Sequence, residues 1–320
     1  MVITTDTLSN VDINLLRIFC TIVECGGFTQ SQVELSLSRS TISIHMTNLE
    51  SKLGFRLCQR GRAGFSLTSR GKIVYESSRS LLASIEGYHS QIAQLRDRIV
   101  GEITIGVVDN IVTNDHCHLY KAIEQAQKSS NDLRLILRIA PPDQIEEQLM
   151  RGHIQLAIAP KFQVRSNISQ IYLFSEYQQL YCGRNHPLFH SSESEITEET
   201  ITDLDYVRRG YMSNLAPYHS IFKHPALGVS HQMEGLAHFV LSGRCVGFLP
   251  QDYAEQWVQR GDMRVMRPDL FCYEVKICLA RNEQALQSLA ATHVFNKIIA
   301  THSSKLTSES ALVNPNITIP

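Results

Sequence analysis

Residues Phe28 to Leu53 read FTQSQVELSLSRSTISIHMTNLESKL, and in their midst four small hydroxyl side chains, Ser38, Ser40, Thr41 and Ser43, stand around Arg39. Short hydroxyls beside a guanidinium suit close approach to phosphates and base edges when they sit at the N-terminal end of a helix, whose unpaired N–H groups already favour anions. The flanking residues supply such a helix. From about Arg39 or Ser40, the residues Ile42, Met46, Leu49 and Leu53 follow at spacings of four, three and four, the rhythm of one buried helical face with a polar face opposite. A shorter helix from about Thr29 precedes it, carrying Val33 and Leu35, with Leu37 closing the turn. Two short helices joined by a tight polar turn, the second with its N-terminal end free for the major groove, form a DNA-reading unit.

Charge separates this reading from that of an ordinary core. From Arg39 to Lys72 there are seven basic residues (Arg39, Lys52, Arg56, Arg60, Arg62, Arg70 and Lys72) and one acid, Glu50, whereas the whole chain of 320 residues carries a net charge of −1. A basic segment inside a neutral chain is a localised footprint for the phosphate backbone. After Gly54 the sequence FRLCQRGRAGFSLTSRG has two apolar arms, Phe55 to Cys58 and Phe65 to Leu67, around a basic, glycine-punctuated middle. This predicts a hairpin, or wing, with Arg60 and Arg62 at its tip to grip phosphates or enter the minor groove.

Three motifs in fixed order, DINLLRIFCTIVECGGFT, LSRSTISIHMTNLESKLG and LCQRGRAGFSLTSRG, make residues 12 to 70 resemble the winged helix-turn-helix of the LysR-type transcriptional regulators, and the likeness continues to about residue 300. The resemblance implies a sequence-specific regulator of transcription that is not an enzyme. The DNA-contacting candidates are Thr29, Gln30, Ser38, Arg39, Ser40, Thr41, Ser43, Ile44 and His45, with Arg60 and Arg62 on the wing. Family members usually carry two alanines where this chain has Ser31 and Gln32, commonly Gln-Pro where it has Arg39 and Ser40, and often Arg where it has Ile44. These departures fall on the reading surface, so the family's usual base contacts do not carry over.

Between the wing and the next domain, Leu81, Ile85, Tyr88, Ile92, Leu95 and Ile99 hold a heptad rhythm within a long helical pattern from Gly71 to Ile99. One isolated helix cannot bury such a seam. The economical partner is the same helix of a second chain, which would present two reading helices to an inverted repeat; packing against the chain's own effector domain is the alternative. The resemblance favours the dimer, through Leu81, Ile85, Tyr88, Ile92 and Leu95, and implies further assembly into tetramers as well as contact with RNA polymerase.

From Gly101 strands alternate with helices: EITIGVV, a helix near His118 to Gln127, LRLILRIA, a helix at QIEEQLMRG, then IQLAIAP. A second series follows through IYLFSEYQQLYCGR, a short helix near 198 to 203, YVRRGYM, ALGVSHQM, EGLAHFVLSG, RCVGFLP and a helix to about Val258; YEVKICLAR and a helix from about Glu283 to Ile299 close it. Such alternation predicts a parallel sheet with both faces covered. The resemblance makes the fold α/β behind an N-terminal all-α winged helix-turn-helix, with two Rossmann-like lobes joined by two crossing strands, similar to type 2 periplasmic binding proteins. The expected boundaries are 10 to 70 for the DNA-binding domain, 71 to 100 for the linker helix and 101 to 300 for the effector domain. Lobe I takes 101 to 165 plus 270 to 300, lobe II takes 166 to 269, and a polar tail of 301 to 320 is expected to be disordered.

Ligands of open α/β folds bind beyond the carboxyl ends of parallel strands. The candidates there are Val108, Asp109 and Asn110, the turn Pro141-Pro142, the loop Ser230, His231, Gln232 and Met233, and Phe248. Relatives often place Ser or Thr in the first two loops to hold a carboxylate. Here an acid and two prolines stand instead, which predicts a small-molecule effector with a cationic, amine or purine-like donor edge toward Asp109.

Other chemistries find less support. The eight cysteines, at positions 20, 25, 58, 117, 182, 245, 272 and 278, include no CxxC pair, and Cys272 and Cys278 fall in one strand, a poor geometry for bridging; a redox-responsive regulator of the same fold remains the alternative. Asp115-His116-Cys117-His118 crowds four potential ligands, but on a helix successive side chains fan out by about 100°, so Asp115 reads as a helix cap and no metal or cofactor is expected. No glycine-rich phosphate cradle, GxSxG or HExxH occurs, which leaves catalysis nothing to rest on. A solute-binding transport component is opposed by the N-terminus MVITTDTLSNVD, which has no basic head and apolar core for export; a purely architectural DNA protein would not need the second domain. The chain is 43% hydrophobic with no apolar run near 18 residues, so a cytoplasmic protein without membrane contact is expected.

Overall fold

The computed structural model describes residues 10 to 61, 64 to 94, 99 to 162, 167 to 211, 221 to 283 and 288 to 302. The chain divides into two compact units, residues 1 to 89 and 90 to 320. Arg62, Leu95 and the tail beyond His302 lie outside the described residues, as do the side chains of Arg60 and Ile92.

The first unit is built from α1 (Asn10–Glu24), α2 (Ser31–Leu35), α3 (Arg39–Leu53), the antiparallel hairpin β1 (Cys58–Gly61) and β2 (Gly64–Leu67), and α4 (Ser69–Gln94). Its core joins Leu15, Ile18, Phe19 and Ile22 of α1 to Ile42, Met46 and Leu49 of α3, with Leu57 and Cys58 at the base of the hairpin. The apolar spacing of α3 thus serves the buried face. In α2 the placing of Ser31 on the reading surface fails: Ser31 is fully buried, its hydroxyl donating to the Phe28 carbonyl at 3.2 Å, while Val33 is 89% exposed. A five-residue helix has only about one inward position per turn, and the small hydroxyl takes it. At the end of α3, Gly54 adopts φ 75° and returns its N–H to Glu50, which stops the helix. A side chain at Gly71 would meet the Leu57 carbonyl oxygen at 1.9 Å, so glycine lets the start of α4 lie against the hairpin.

Along α4, Leu81 packs on this unit's own core, Ile85 is half-buried and Tyr88 is 59% exposed. Of the heptad rhythm, Leu81 thus serves an internal contact while Tyr88 is turned to the outside. Ile99, expected to close the seam, lies past the end of the helix and packs with the core of the second unit.

The second unit is one nine-stranded sheet in the order β4-β3-β5-β11-β6-β9-β7-β8, with β10 also on β6. Its elements are β3 (Gly101–Val107), α5 (Leu119–Ser129), β4 (Leu133–Ile139), α6 (Pro142–Met150), β5 (Leu156–Pro160), β6 (Ile168–Gly183), α7 (Glu198–Thr202), β7 (Tyr206–Arg209), β8 (Gly228–Ser230), α8 (Met233–Leu241), β9 (Val246–Pro250), α9 (Gln251–Gln259), β10 (Met263–Val265), β11 (Cys272–Asn282) and α10 (Leu289–His302). The sheet is mixed rather than parallel. Strands β3, β4 and β5 run parallel, as do β7, β8 and β9, but β6 and β11 pair antiparallel with each other along nearly their whole length. Strand β11 also pairs with β5, and β6 with β9 and β10. These two long strands carry the sheet from one lobe into the other, each lobe having its own core, the first around Ile105, Leu156, Ile158 and Val294 and the second around Leu180, Val246, Leu236 and Leu249. Their register slips between Ile277 and Cys278, where β11 also pairs with the end of β5.

Helix α5 starts at Leu119 with His118 in the cap position. Asp115 is therefore not the cap; it is exposed with His116, while Cys117 is buried. Thr301 and His302, expected in a disordered tail, are buried at the end of α10, because His302 accepts the His118 N–H at 3.0 Å and its other ring nitrogen lies 2.7 Å from the Ile298 carbonyl.

Candidate nucleic-acid interface and interlobe site

At the start of α3 the structure both uses and exposes the hydroxyl cluster. Ser38 is the N-cap, its side chain accepting the Thr41 N–H at 3.2 Å and lying 2.8 Å from the hydroxyls of Ser40 and Thr41. Gln32 of α2 accepts the Arg39 N–H at 3.1 Å, so the two helices are tied by a side chain that also caps. Helical capping of this kind stabilises by about 1 kcal/mol. With the cap roles filled from within, Thr29, Gln30, Arg39 and Ser40 are exposed, Thr41, Ser43 and His45 are half-buried, and Ile44 is 60% exposed on the face opposite Ile42 and Met46. The one acid of the basic segment, Glu50, accepts the N–H groups of Leu57 and Cys58 at 2.7 and 3.3 Å. That carboxylate fixes the hairpin to α3. The expected hairpin is present, its first strand beginning at Cys58 rather than Phe55.

In the second unit, the carboxyl end of β4 and the loop after β8 face each other across a groove of about 530 Å³, lined by Ile139, Ala140, Pro141 and Gln144 on one side and Ser230, His231, Gln232, Glu234, Gly235 and His238 on the other. Pro141, Ser230, His231 and Gln232 of the expected set meet here. The loop is shaped by Ser230, whose hydroxyl donates to the Gln232 carbonyl at 2.8 Å and accepts its N–H at 3.3 Å. A side chain at Gly235 would meet that hydroxyl at 2.2 Å. Val108, Pro142 and Phe248 are buried instead of lining the groove; Phe248 makes an edge contact with Tyr273 at 5.4 Å.

Asp109 crosses between the lobes. Its carboxylate accepts the backbone N–H of Met233, the first residue of α8, at 2.5 Å, while Gln232 in the cap position makes no cap bond with its side chain. Beside Asp109, Asn110 holds φ 58°, and both polar atoms of its side chain are out of solvent without a hydrogen-bond partner among the described residues. Asn114 donates to the Ser175 carbonyl of β6 at 3.2 Å.

Sequence reasoning missed the charged centre behind these loops. Glu176 and Gln178 point inward from β6, and Arg209 ends β7; all three are buried. Arg209 donates to Gln178, whose amide donates to Glu176. Burial pushes the Glu176 carboxyl up to about 7; Arg209 opposes the rise, and Asp109 and Asp252 add to it. Burial also raises the Asp109 carboxyl, moderated by the Met233 N–H and Arg209. A signal is present in the sequence: SEYQQ places Glu176 and Gln178 at alternate positions of one strand, hence on one face, and YVRRG puts two successive guanidinium groups into another.

Among the described residues, no group of three or more His, Cys, Asp or Glu side chains is placed to hold a metal ion. The eight cysteines are free thiols, and burial raises those of Cys20, Cys117, Cys182, Cys245 and Cys278. A thiol kept protonated is a poor nucleophile, and Cys272 and Cys278 both lie on β11. No helix among the described residues is long and apolar enough to cross a membrane.

Residues 13 to 72 match the family described as bacterial regulatory helix-turn-helix protein, lysR family, and residues 96 to 301 match the LysR substrate binding domain. The HTH-type transcriptional activator BauR of Pseudomonas aeruginosa is 36% identical over 275 residues, which cover 85% of this chain and 89% of that protein. Among solved structures, a probable transcriptional regulator of Pseudomonas aeruginosa, PA0477, superposes with a TM-score of 0.63 at 15% identity, over 90% of this chain and 96% of the other. Full-length CbnR in complex with its target DNA gives a TM-score of 0.58 at 16% identity, over 90% and 99% of the two chains.

Proposed function

This chain belongs to the LysR family of transcriptional regulators, and from that premise we propose that a small-molecule effector held between the two lobes of its second unit sets how a dimer or tetramer engages an inverted repeat in promoter DNA. Transcription regulation through a DNA-binding helix-turn-helix and an effector domain is the family's activity. Reading falls to the polar side of the first two turns of α3, from Arg39 to His45, with Thr29 and Gln30 of the preceding turn and the arginines of the hairpin on the phosphates. Pairing along the heptad rhythm of α4 supplies the second reading helix, and RNA polymerase is the downstream partner in the cytoplasm. The protein acts without metal or catalysis.

The observation that carries the effector reading is the groove of about 530 Å³ where loops of both lobes converge, a size that suits a small metabolite. A ligand that fits one lobe arrangement better than another shifts the population toward it, and by linkage the DNA and the ligand then affect each other's affinity equally. Filling the groove with His238→Trp, on the exposed side of α8, tests this. Basal binding to the chain's own upstream DNA is expected to persist, while the change in that complex on adding cell metabolites disappears; an unchanged response would contradict the reading.

A further inference from the structure

The effector's chemical class is legible from what the cleft already contains. Helix N-termini are the natural seats for an anionic ligand, because their N–H groups point outward unpaired. In this cleft the N-terminus of the nine-residue α8 is already occupied by the chain's own carboxylate, Asp109, on the Met233 N–H. An acid seated on that N–H would have to displace it.

The remaining fixed charge has the opposite deficit. Asp109 of lobe I, Glu176 of the crossing strand β6 and Arg209 of lobe II lie within electrostatic reach of one another, two carboxyls against one guanidinium, in a setting where Glu176 and Arg209 are almost wholly out of solvent. Buried charges are stable when compensated. Asn110, next to Asp109, adds a buried amide without a partner among the described residues, able to donate and accept. The segment that receives Asp109 also lines the groove through Ser230, Gln232 and Glu234. Deepening the effector reading given above, and resting on it, we infer that the effector carries a protonated amine, which enters between the lobes and completes the charge of Asp109, Glu176 and Arg209.

The groups facing Glu176 are Arg209, Asp109 and Asp252, with Tyr211, Tyr273 and Cys117 around them. With the Glu176 carboxyl pushed up to about 7, an ammonium that prefers its ionised form must expel a proton. Affinity for the amine then falls as pH drops below about 7, approaching tenfold per pH unit, and is level above it until the amine itself loses its proton.

A matched set of four-carbon probes, 1,4-diaminobutane, 4-aminobutanoate and succinate, differs only in end groups and is titrated calorimetrically into the full-length protein in buffers of different ionisation enthalpy. Binding of one or both amines with proton release near pH 6.5, and none by succinate, is the expected result; diaminobutane against aminobutanoate tells a polyamine from an amino acid. Glu176→Gln is expected to abolish the proton release and weaken the amine at least tenfold. Asp109→Ala vacates the α8 N-terminus and is expected to let succinate bind. Binding of succinate but not of the amines to the unaltered protein, or amine binding indifferent to Glu176→Gln, overturns the inference. If succinate binds and alters the DNA complex, the inference fails while the effector reading stands; if the groove-filled His238→Trp protein responds to ligand like the unaltered one, the effector reading itself has failed.

Discussion

The Asp109 carboxylate and the Met233 N–H, 124 positions apart in the chain, meet at 2.5 Å and join the loop after β3 in one lobe to the first turn of α8 in the other. Helix capping is ordinarily local; here it is a bond between lobes, broken whenever they separate.

Asp109→Ala removes this cap. The expected loss is about 1 kcal/mol, read as a fall in the melting temperature of the second unit of roughly 2–4 °C. No change in melting would show that the bond carries no weight in the closed arrangement.

Glu176 makes stability depend on pH. Its folded value of about 7 lies above the ordinary 4.5, so between those limits the native state holds a proton that the unfolded chain has lost. The contribution is fully present below about pH 4.5, declines as pH rises to about 7 and is level beyond. Glu176→Gln should therefore be the more stable protein at pH 8, by on the order of 3 kcal/mol, with the difference closing toward pH 5. Chemical denaturation at the two pH values measures it, and parallel curves would contradict it.

His302 works in the other direction. Since the Ile298 carbonyl can only accept, Nδ1 carries the proton and Nε2 is left to accept the His118 N–H. Burial lowers its ring below the ordinary 6.5, so the stability it contributes is present above pH 6.5 and lost as pH falls through its lower folded value. Hydrogen exchange at the His118 amide, corrected for the intrinsic rate, should accelerate on acidification, and His302→Leu should show the fast rate at every pH.

On the DNA side, Arg39 is exposed at the start of α3, its backbone N–H already held by Gln32. Arg39→Ala is expected to reduce the slope of log affinity against log salt by about 1, with a similar loss for all sequences if the guanidinium meets phosphate. Ile44→Ala, by contrast, should relax preference at a single A·T pair with little change in salt dependence, as expected of an apolar side chain against a thymine methyl. A salt slope altered by Ile44→Ala and untouched by Arg39→Ala would reverse these assignments.

Local rules made much of this molecule legible. The 4-3-4 spacing of Ile42, Met46, Leu49 and Leu53, a hydroxyl at the cap and a glycine past the end define α3 almost to the residue, because helix boundaries are set by short-range chemistry. The strands of the second unit were recognisable from β-branched runs, but not their direction: antiparallel pairing of β6 with β11 joins residues about a hundred positions apart, and periodicity is the same in either sense. Ser31 turns inward rather than onto the reading surface, because a five-residue helix offers too few turns for a pattern to show its buried side. Asp109 was noticed for its charge, whereas its engagement with α8 depends on how two lobes close. Glu176 and Arg209 belong to no motif of their own and lie on separate strands, β6 and β7, and only the fold brings them together.

A ligand between the lobes is expected to change how α3 meets DNA. The most direct measurement is a DNase I footprint of the full-length protein over its own upstream region at low salt, with and without whichever four-carbon amine binds. Protection of an inverted repeat, with a boundary or hypersensitive site that moves on adding the amine to the unaltered protein and stays fixed with Glu176→Gln, is the predicted result. No protection anywhere, or protection identical with and without the amine, would contradict it.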